Sequence, residues 1–310
     1  MIYSRFFLLV SLSLLLAVGG IVINIQHRVV TVQTGSCIDI AATPDYLNSR
    51  DPHDAIAAIN NARQQEHIHA LHLPANFYQL SPVQQEFTLL NLERTDRGLQ
   101  PLYLDDMLSQ MAQAYSRQIR DLKFFSHTSP IGGAFSDRIN GNTLLYNHYR
   151  MAAENIAGNP VPGVGAMYEY MYDDTVENCG HRQNILDPQL RLVGIGMVMG
   201  SSYGSISAQE FLTAASWNPY VSVPAQQAKP SISITATVAT KDQKIQLVAQ
   251  QASSDPLVRV TWFLDNLDQI QYVGNIWTMS TQHLSPGKHT ILAYGVDGVE
   301  QYAVARYTIP

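Results

Sequence analysis

Apolar positions recur at helical spacing in the first part of the chain and alternate with polar ones in its last third. From Pro52, the run His53-Asp54-Ala55-Ile56-Ala57-Ala58-Ile59 leads on to Ala62 and predicts a helix. Asp51 is its expected N-cap, with proline at the first helical position. Ser81-Pro82 repeats that start signal. Gln85 follows Pro82 by three residues, then come Phe87, Leu89, Leu90 and Leu92, and Gly98 ends the pattern. Asp105 or Asp106 is expected to cap a third helix, in which residues 107, 111, 114 and 118 share one face. Residues 163–178, rich in Tyr and Met, predict another helix. Val193 to Met199 reads as a strand whose alternating glycines imply close packing against another element. Residues 200–204 form a turn before a second strand at Ala208–Ala214. The expected order is therefore helices followed by an antiparallel sheet.

Past a short linker at 221–230, the pattern changes. Residues 231–236, 244–248 and 258–264 alternate with period two, and Leu284-Ser285-Pro286-Gly287-Lys288 is a turn before His289–Tyr294. Short strands with turn signals between them predict a small β-sandwich. At the other end, Arg5 precedes an apolar run from Phe6 to Ile25. A span needs ~20 such residues. Residues 1–28 are expected to be an uncleaved anchor, with a cleaved signal peptide as the alternative, and 29–50 a stalk. The rest of the chain is then extracytoplasmic, either membrane-anchored or secreted.

The chain has 310 residues, 46% hydrophobic and 14% charged, with a formal net charge of -6. That length accommodates two domains. The apolar content argues against disorder, and the lack of a basic stripe argues against a nucleic-acid partner. Cys37 and Cys179 are the two cysteines; they can pair in an oxidising compartment or remain two buried thiols.

Candidate chemistry gathers in residues 124–186. His127, Glu154 and His181 are the residue types of an open zinc site or an acid–base pair. None of their spacings is a local metal motif, so only the fold can bring them together. Gly200-Ser201-Ser202-Tyr203-Gly204 matches G-x-S-x-G formally, but strand pattern on both sides predicts a hairpin turn. His67, His69 and His72 do not share a helical face and are expected in solvated or capping roles. Trp262 reads as core, and Trp277 as either core or an exposed binding aromatic.

Five blocks in order carry a family resemblance. They are Leu90-Asn91-Leu92-Glu93-Arg94 with Gly98-Leu99-Gln100-Pro101-Leu102, Phe125-Ser126-His127, Ala153-Glu154-Asn155-Ile156-Ala157, Gly180-His181-Arg182-Gln183-Asn184-Ile185-Leu186, and Val193-Gly194-Ile195-Gly196. Residues 84–217 thereby resemble a bacterial CAP domain, of the cysteine-rich secretory protein, antigen 5 and pathogenesis-related-1 superfamily. Residues 231–310 resemble a bacterial immunoglobulin-like module. The implied fold class is α+β. It comprises an α-β-α sandwich over 51–220, with an N-terminal helical extension, and an all-β immunoglobulin-like sandwich, behind an N-terminal membrane segment.

The resemblance implies a cleft in which His127, Glu154, His181 and a second acid hold a divalent metal such as zinc. Asp174 is the expected second acid, with Asp173 as the alternative and Glu169 and Glu177 flanking. Asn155 and Arg182 are expected to order the cleft. The superfamily has no single established reaction, so the resemblance implies a site without a substrate. The leading expectation is a non-enzymatic protein that binds an extracellular ligand, such as a lipid or a cell-wall component. The alternatives are a metal-assisted hydrolase using Glu154 and His181, and a structural cell-surface spacer.

Overall fold

Two helices with proline at their first position open the described part of the chain. The computed structural model describes residues 49–176, 178–222, 229–239, 243–252 and 256–309. The expected membrane segment, nearly all of the stalk, Cys37, Glu177 and most of the linker lie outside these residues. Among the described residues no helix is long and apolar enough to cross a membrane. Cys179 is not a free thiol, whereas its pairing with Cys37 falls outside the described residues.

Helix α1 (Pro52–Gln65) is capped by Asp51, whose carboxylate accepts the His53 backbone N–H. Helix α2 (Pro82–Thr95) begins with a reciprocal capping box between Ser81 and Gln84, not Gln85. Gln85 points inward instead and donates to the Phe77 carbonyl at 3.2 Å. After β1 (Tyr103–Leu104), Asp105 caps α3 (Asp106–Leu122) by accepting from the Leu108 N–H. The chain continues through β2 (Thr128–Ser129), β3 (Gly133–Ala134) and α4 (Phe135–Gly141). Then follow β4 (Tyr149–Asn159), α5 (Val164–Tyr172), α6 (Gly180–Leu186), β5 (Leu192–Ser201) and β6 (Gly204–Ala214).

The main sheet runs β1-β5-β6-β4, with β1 parallel to β5 and the other pairs antiparallel. Helices and strands interleave, so the expected order of helices and then sheet is corrected: β1 and β4 precede the last helices. Strand β4 is covered on both faces over much of its length, which erases the period-two signal. The predicted helix at 163–178 also ends early, at Tyr172, with Asp173 as its C-cap.

Helix α3 packs on one face of the sheet, against β5 and β6, and α2, α5 and α6 pack on the other. The contact with α3 explains the alternating glycines. A Cβ at Gly194 would lie 2.0 Å from the Leu108 carbonyl carbon, and one at Gly196 2.0 Å from the Gln113 nitrogen. Only glycine admits the helix this close. The larger apolar core lies on the α5 side and includes Leu89, Leu90, Tyr170 and Phe211.

Past residue 230 the described chain is all strand. It runs β7 (Ile232–Ala239), β8 (Lys244–Gln251), β9 (Leu257–Leu264), β10 (Ile270–Val273), β11 (Ile276–Ser280), β12 (His289–Asp297) and β13 (Tyr302–Ile309). Two sheets, β10-β9-β12-β13 and β11-β8-β7, enclose a core around Trp262, Leu247 and Ile291. This arrangement is consistent with an immunoglobulin-like module. Trp277 belongs to that core, 9% exposed and 6.0 Å from the Trp262 ring.

The all-β region is docked on the first region. Ile131, between β2 and β3, sits in an apolar cluster with Phe263, Leu292, Tyr294 and Val296. The Thr261 hydroxyl donates to the Ile131 carbonyl at 3.0 Å. The Gln118 amide of α3 donates to the Glu300 carbonyl at 2.6 Å.

Candidate functional site: two histidine–carboxylate pairs

His127 leaves the α3–β2 connection with its side chain 48% exposed, and its Nδ1 lies 2.7 Å from Glu154 Oε1. Glu154 sits in the middle of β4 with a side chain only 2% exposed. His181 is the second residue of α6, and its Nδ1 lies 2.6 Å from Asp174 Oδ1. Asp174, not Asp173, is the acid on His181, and it comes from the connection after α5 rather than from the helix itself. The two imidazole centroids are 6.3 Å apart. The fold thus brings together His127, Glu154, His181 and Asp174, which are far apart in the chain.

The supporting residues act on the backbone. Asn155 donates to the His181 carbonyl at 3.2 Å and to Gln209 Oε1 at 3.0 Å, and it accepts from Asn184 at 2.8 Å. The Arg182 N–H donates to Asp174 Oδ2 at 3.0 Å, so Asp174 spans the start of α6 and the His181 ring. The Arg182 guanidinium reaches the Met171 carbonyl at 2.8 Å and pairs with Glu66, the C-cap of α1. Glu66 also pairs with Arg97, which meets Glu93, and Glu93 meets Arg63 at 2.9 Å; Arg63 pairs in turn with Asp96.

Behind His127 the network is different. Arg138 of α4 pairs with Glu154 through Nη2, with Glu300 through Nε at 2.9 Å, and donates to the His127 carbonyl at 2.7 Å. Its guanidinium lies 3.5 Å from the centre of the Tyr115 ring. Glu210 stands directly opposite Glu154 across the β4–β6 ladder and is fully buried. With both carboxylates ionised neither Glu210 oxygen meets a donor among the described residues, and a protonated Glu210 is within hydrogen-bond reach of Glu154. Burial, then the charges of Glu154 and Glu300, push its carboxyl well above the usual range. Burial raises Glu300 to about 7; Arg138 opposes that shift and Glu154 adds to it. Glu86 of α2, sealed under Ser207 and Gln209, is raised by burial to about 8.

Each imidazole holds a carboxylate at Nδ1, and neither Nε2 has a hydrogen-bond partner among the described residues. A carboxylate at Nδ1 fixes the ring and leaves the Nε2 lone pair outward, the posture of a metal-ligating histidine. Among the described residues no three His, Cys, Asp or Glu side chains are grouped so as to hold an ion. Two imidazole Nε2 atoms thus face outward, with Glu154 and Asp174 behind the rings.

Other sequence features fall elsewhere. Residues 200–204 are the β5–β6 hairpin, so no nucleophile elbow forms there. His69 and His72 lie in the exposed stretch after α1, with rings 4.9 Å apart. Arg138, Glu210, Glu300 and Glu66 were not singled out by the sequence pattern. Glu86 and Glu93 carried a readable signal, because both fall on the α2 face that buries Leu89 and Leu90.

This α+β region with two histidine–acid pairs can be set beside known proteins. Residues 87–227 match the model of the cysteine-rich secretory protein family, CAP, and the chain carries a CAP domain there. A 125-residue stretch is 36% identical to "Uncharacterized protein YkwD" of Bacillus subtilis strain 168, covering 40% of this chain and 44% of that protein. Another match is 28% identical over 119 residues to "Uncharacterized membrane protein YlbC" of the same strain, covering 38% of this chain and 32% of that one. The chain therefore spans less than half the length of either curated relative. Among solved structures, an extracellular protein containing a SCP domain from Bacillus anthracis is similar at 26% identity, with 49% of each chain covered and a TM-score of 0.37.

Proposed function

We propose that the chain is an extracytoplasmic CAP-domain protein that binds a surface ligand between His127 and His181, with a divalent cation such as zinc held by the two Nε2 atoms. The observation that carries this reading is the paired geometry: two rings 6.3 Å apart, each fixed at Nδ1 by a buried carboxylate. Glu154 and Asp174 orient the rings, and Asn155 and Arg182 hold the backbone and the acid at α6. A zinc ion bound there would supply a Lewis-acid position for a ligand oxygen. In this reading the first region is the family's α-β-α sandwich and the second is an immunoglobulin-like module.

Glu154 argues against hydrolysis through this cleft. Its side chain is 2% exposed, with one oxygen engaged by His127 and the other by Arg138, so it is poorly placed to take a proton from water. Calorimetric titration of zinc into the full chain tests the binding reading. One ion per chain is expected, with His127→Ala and His181→Ala each weakening it by at least about 10-fold. Binding that survives in both variants would remove the cation from this cleft.

A further inference from the structure

The geometry points to Glu300, from the all-β module, as a positioning residue of the CAP cleft. It fixes Arg138, which fixes Glu154, which in turn orients His127. The two regions then form one binding unit, not a domain and its spacer. This inference rests on the cleft reading proposed above.

Glu300 lies outside the segment that matches the family model, in the hairpin between β12 and β13. The hairpin is rigidly built. Asp297 Oδ1 accepts from the backbone N–H groups of Val299 at 3.0 Å and Gln301 at 2.8 Å. Glu300 itself takes a left-handed backbone, φ 64°, which a glutamate adopts at a cost. The strained turn leaves its side chain 2% exposed, against Arg138 of the CAP region. Gln118 of α3 locks it there by donating to its carbonyl, and Gln118 Oε1 accepts in turn from Ser129 of β2 at 2.7 Å.

The far end of the side chain completes the coordination of Arg138. Glu300 Oε2 accepts from Nε, Glu154 from Nη2 and the His127 carbonyl from Nη1. A planar guanidinium stacked on Tyr115 has one orientation that serves all three acceptors. Without Glu300 the Nε–H loses its acceptor in a dry site, and the plane is free to turn. Glu154 then loses the partner that sets its second oxygen, and the His127 ring loses its fixed Nδ1 acceptor. His181 hangs on a separate set of residues, so it serves as an internal control.

The test compares the full wild-type chain with Glu300→Ala, Glu300→Asp and Glu300→Gln. The readouts are the ring-nitrogen NMR signals of His127 and His181 without metal, and zinc titration. In wild type, both rings are expected as the Nδ1–H tautomer. Glu300→Ala should shift the His127 tautomer population, leave His181 unchanged and weaken zinc by about 10-fold, the low end for outer partners of a metal ligand. Glu300→Gln keeps an acceptor for Nε and should restore the wild-type His127 signal. Unchanged His127 signals in Glu300→Ala would overturn the inference. Equal shifts at both histidines would also overturn it, in favour of general loosening. If Glu300→Ala does not fold, Glu300→Asp, one methylene short of Arg138, decides by the same criteria. Should the wild type bind no zinc, the cleft reading fails while the tautomer signals still judge Glu300.

Discussion

Behind His181, the guanidiniums of Arg63, Arg97 and Arg182 meet the carboxylates of Glu66, Glu93 and Asp96. Behind His127, the single guanidinium of Arg138 faces Glu154, Glu300 and the nearby Glu210. Both halves hold an imidazole by a buried acid. With Asp174 counted, three guanidiniums face four carboxylates behind His181, whereas one faces three behind His127, so the excess of acid is larger on the His127 side. Burying unmatched carboxylates is too costly to leave them all ionised, so protons make up the difference. The raised carboxyls of Glu300 and Glu210 are that compensation. Each half also draws a brace from outside the family-matched segment: Glu66 from the C-cap of α1 and Glu300 from the β12–β13 hairpin.

Removing one arginine from each half separates the two networks most. Arg138→Met leaves Glu154 and Glu300 buried without a cation and should cost about 3–5 kcal/mol in urea unfolding. Arg182→Met should cost only about 1–2 kcal/mol, because Arg97 still pairs with Glu66. Equal losses would show that the two networks do not differ in redundancy.

Stability against pH sharpens the same contrast. Glu300 rises from an ordinary value of 4.5 to about 7 in the folded chain, and Glu86 to about 8. A raised acid binds its proton more tightly in the folded state. Its contribution is complete below about 4.5 and is lost as pH rises through the folded value. Thermal stability should therefore fall between pH 5 and 8, by an amount on the order of a few kcal/mol. Glu210→Gln, which removes a buried acid facing Glu154, should stabilise the chain more at pH 8 than at pH 5. A flat melting profile shared by wild type and variant would contradict the charge account.

The smallest expected effect is at the rings. His127 is half exposed, whereas the His181 side chain is 15% exposed and its ring lies 5.2 Å from Tyr170. His127→Ala should cost below about 1 kcal/mol in unfolding free energy and His181→Ala about 1–2 kcal/mol. The reverse order in a denaturation series would misplace the two rings in this account.

Much of the fold was legible because local chemistry set it. Asp51-Pro52, Ser81-Pro82 and Asp105 mark three helix starts, and Gly194 and Gly196 announce the close approach of α3. Strand β4 was not legible as a strand, since a doubly covered strand shows no alternation. His127, Glu154 and His181 come from the motif blocks, and Asp174, with Asp173 as the alternative, from its place ahead of the His181 block, none of them from periodicity. Their buried braces were harder to see. Arg138 sits on a seven-residue helix and Glu300 in a hairpin, where no period marks a position as core. Their roles exist only once β12–β13 docks against α3.

The direct test of the central claim is a crystal structure of the full chain with zinc, using the metal's anomalous signal. One peak shared by His127 and His181 is expected, bonded to both Nε2 atoms at ~2.0–2.1 Å. No peak in the cleft, or a peak on one ring alone, would contradict it.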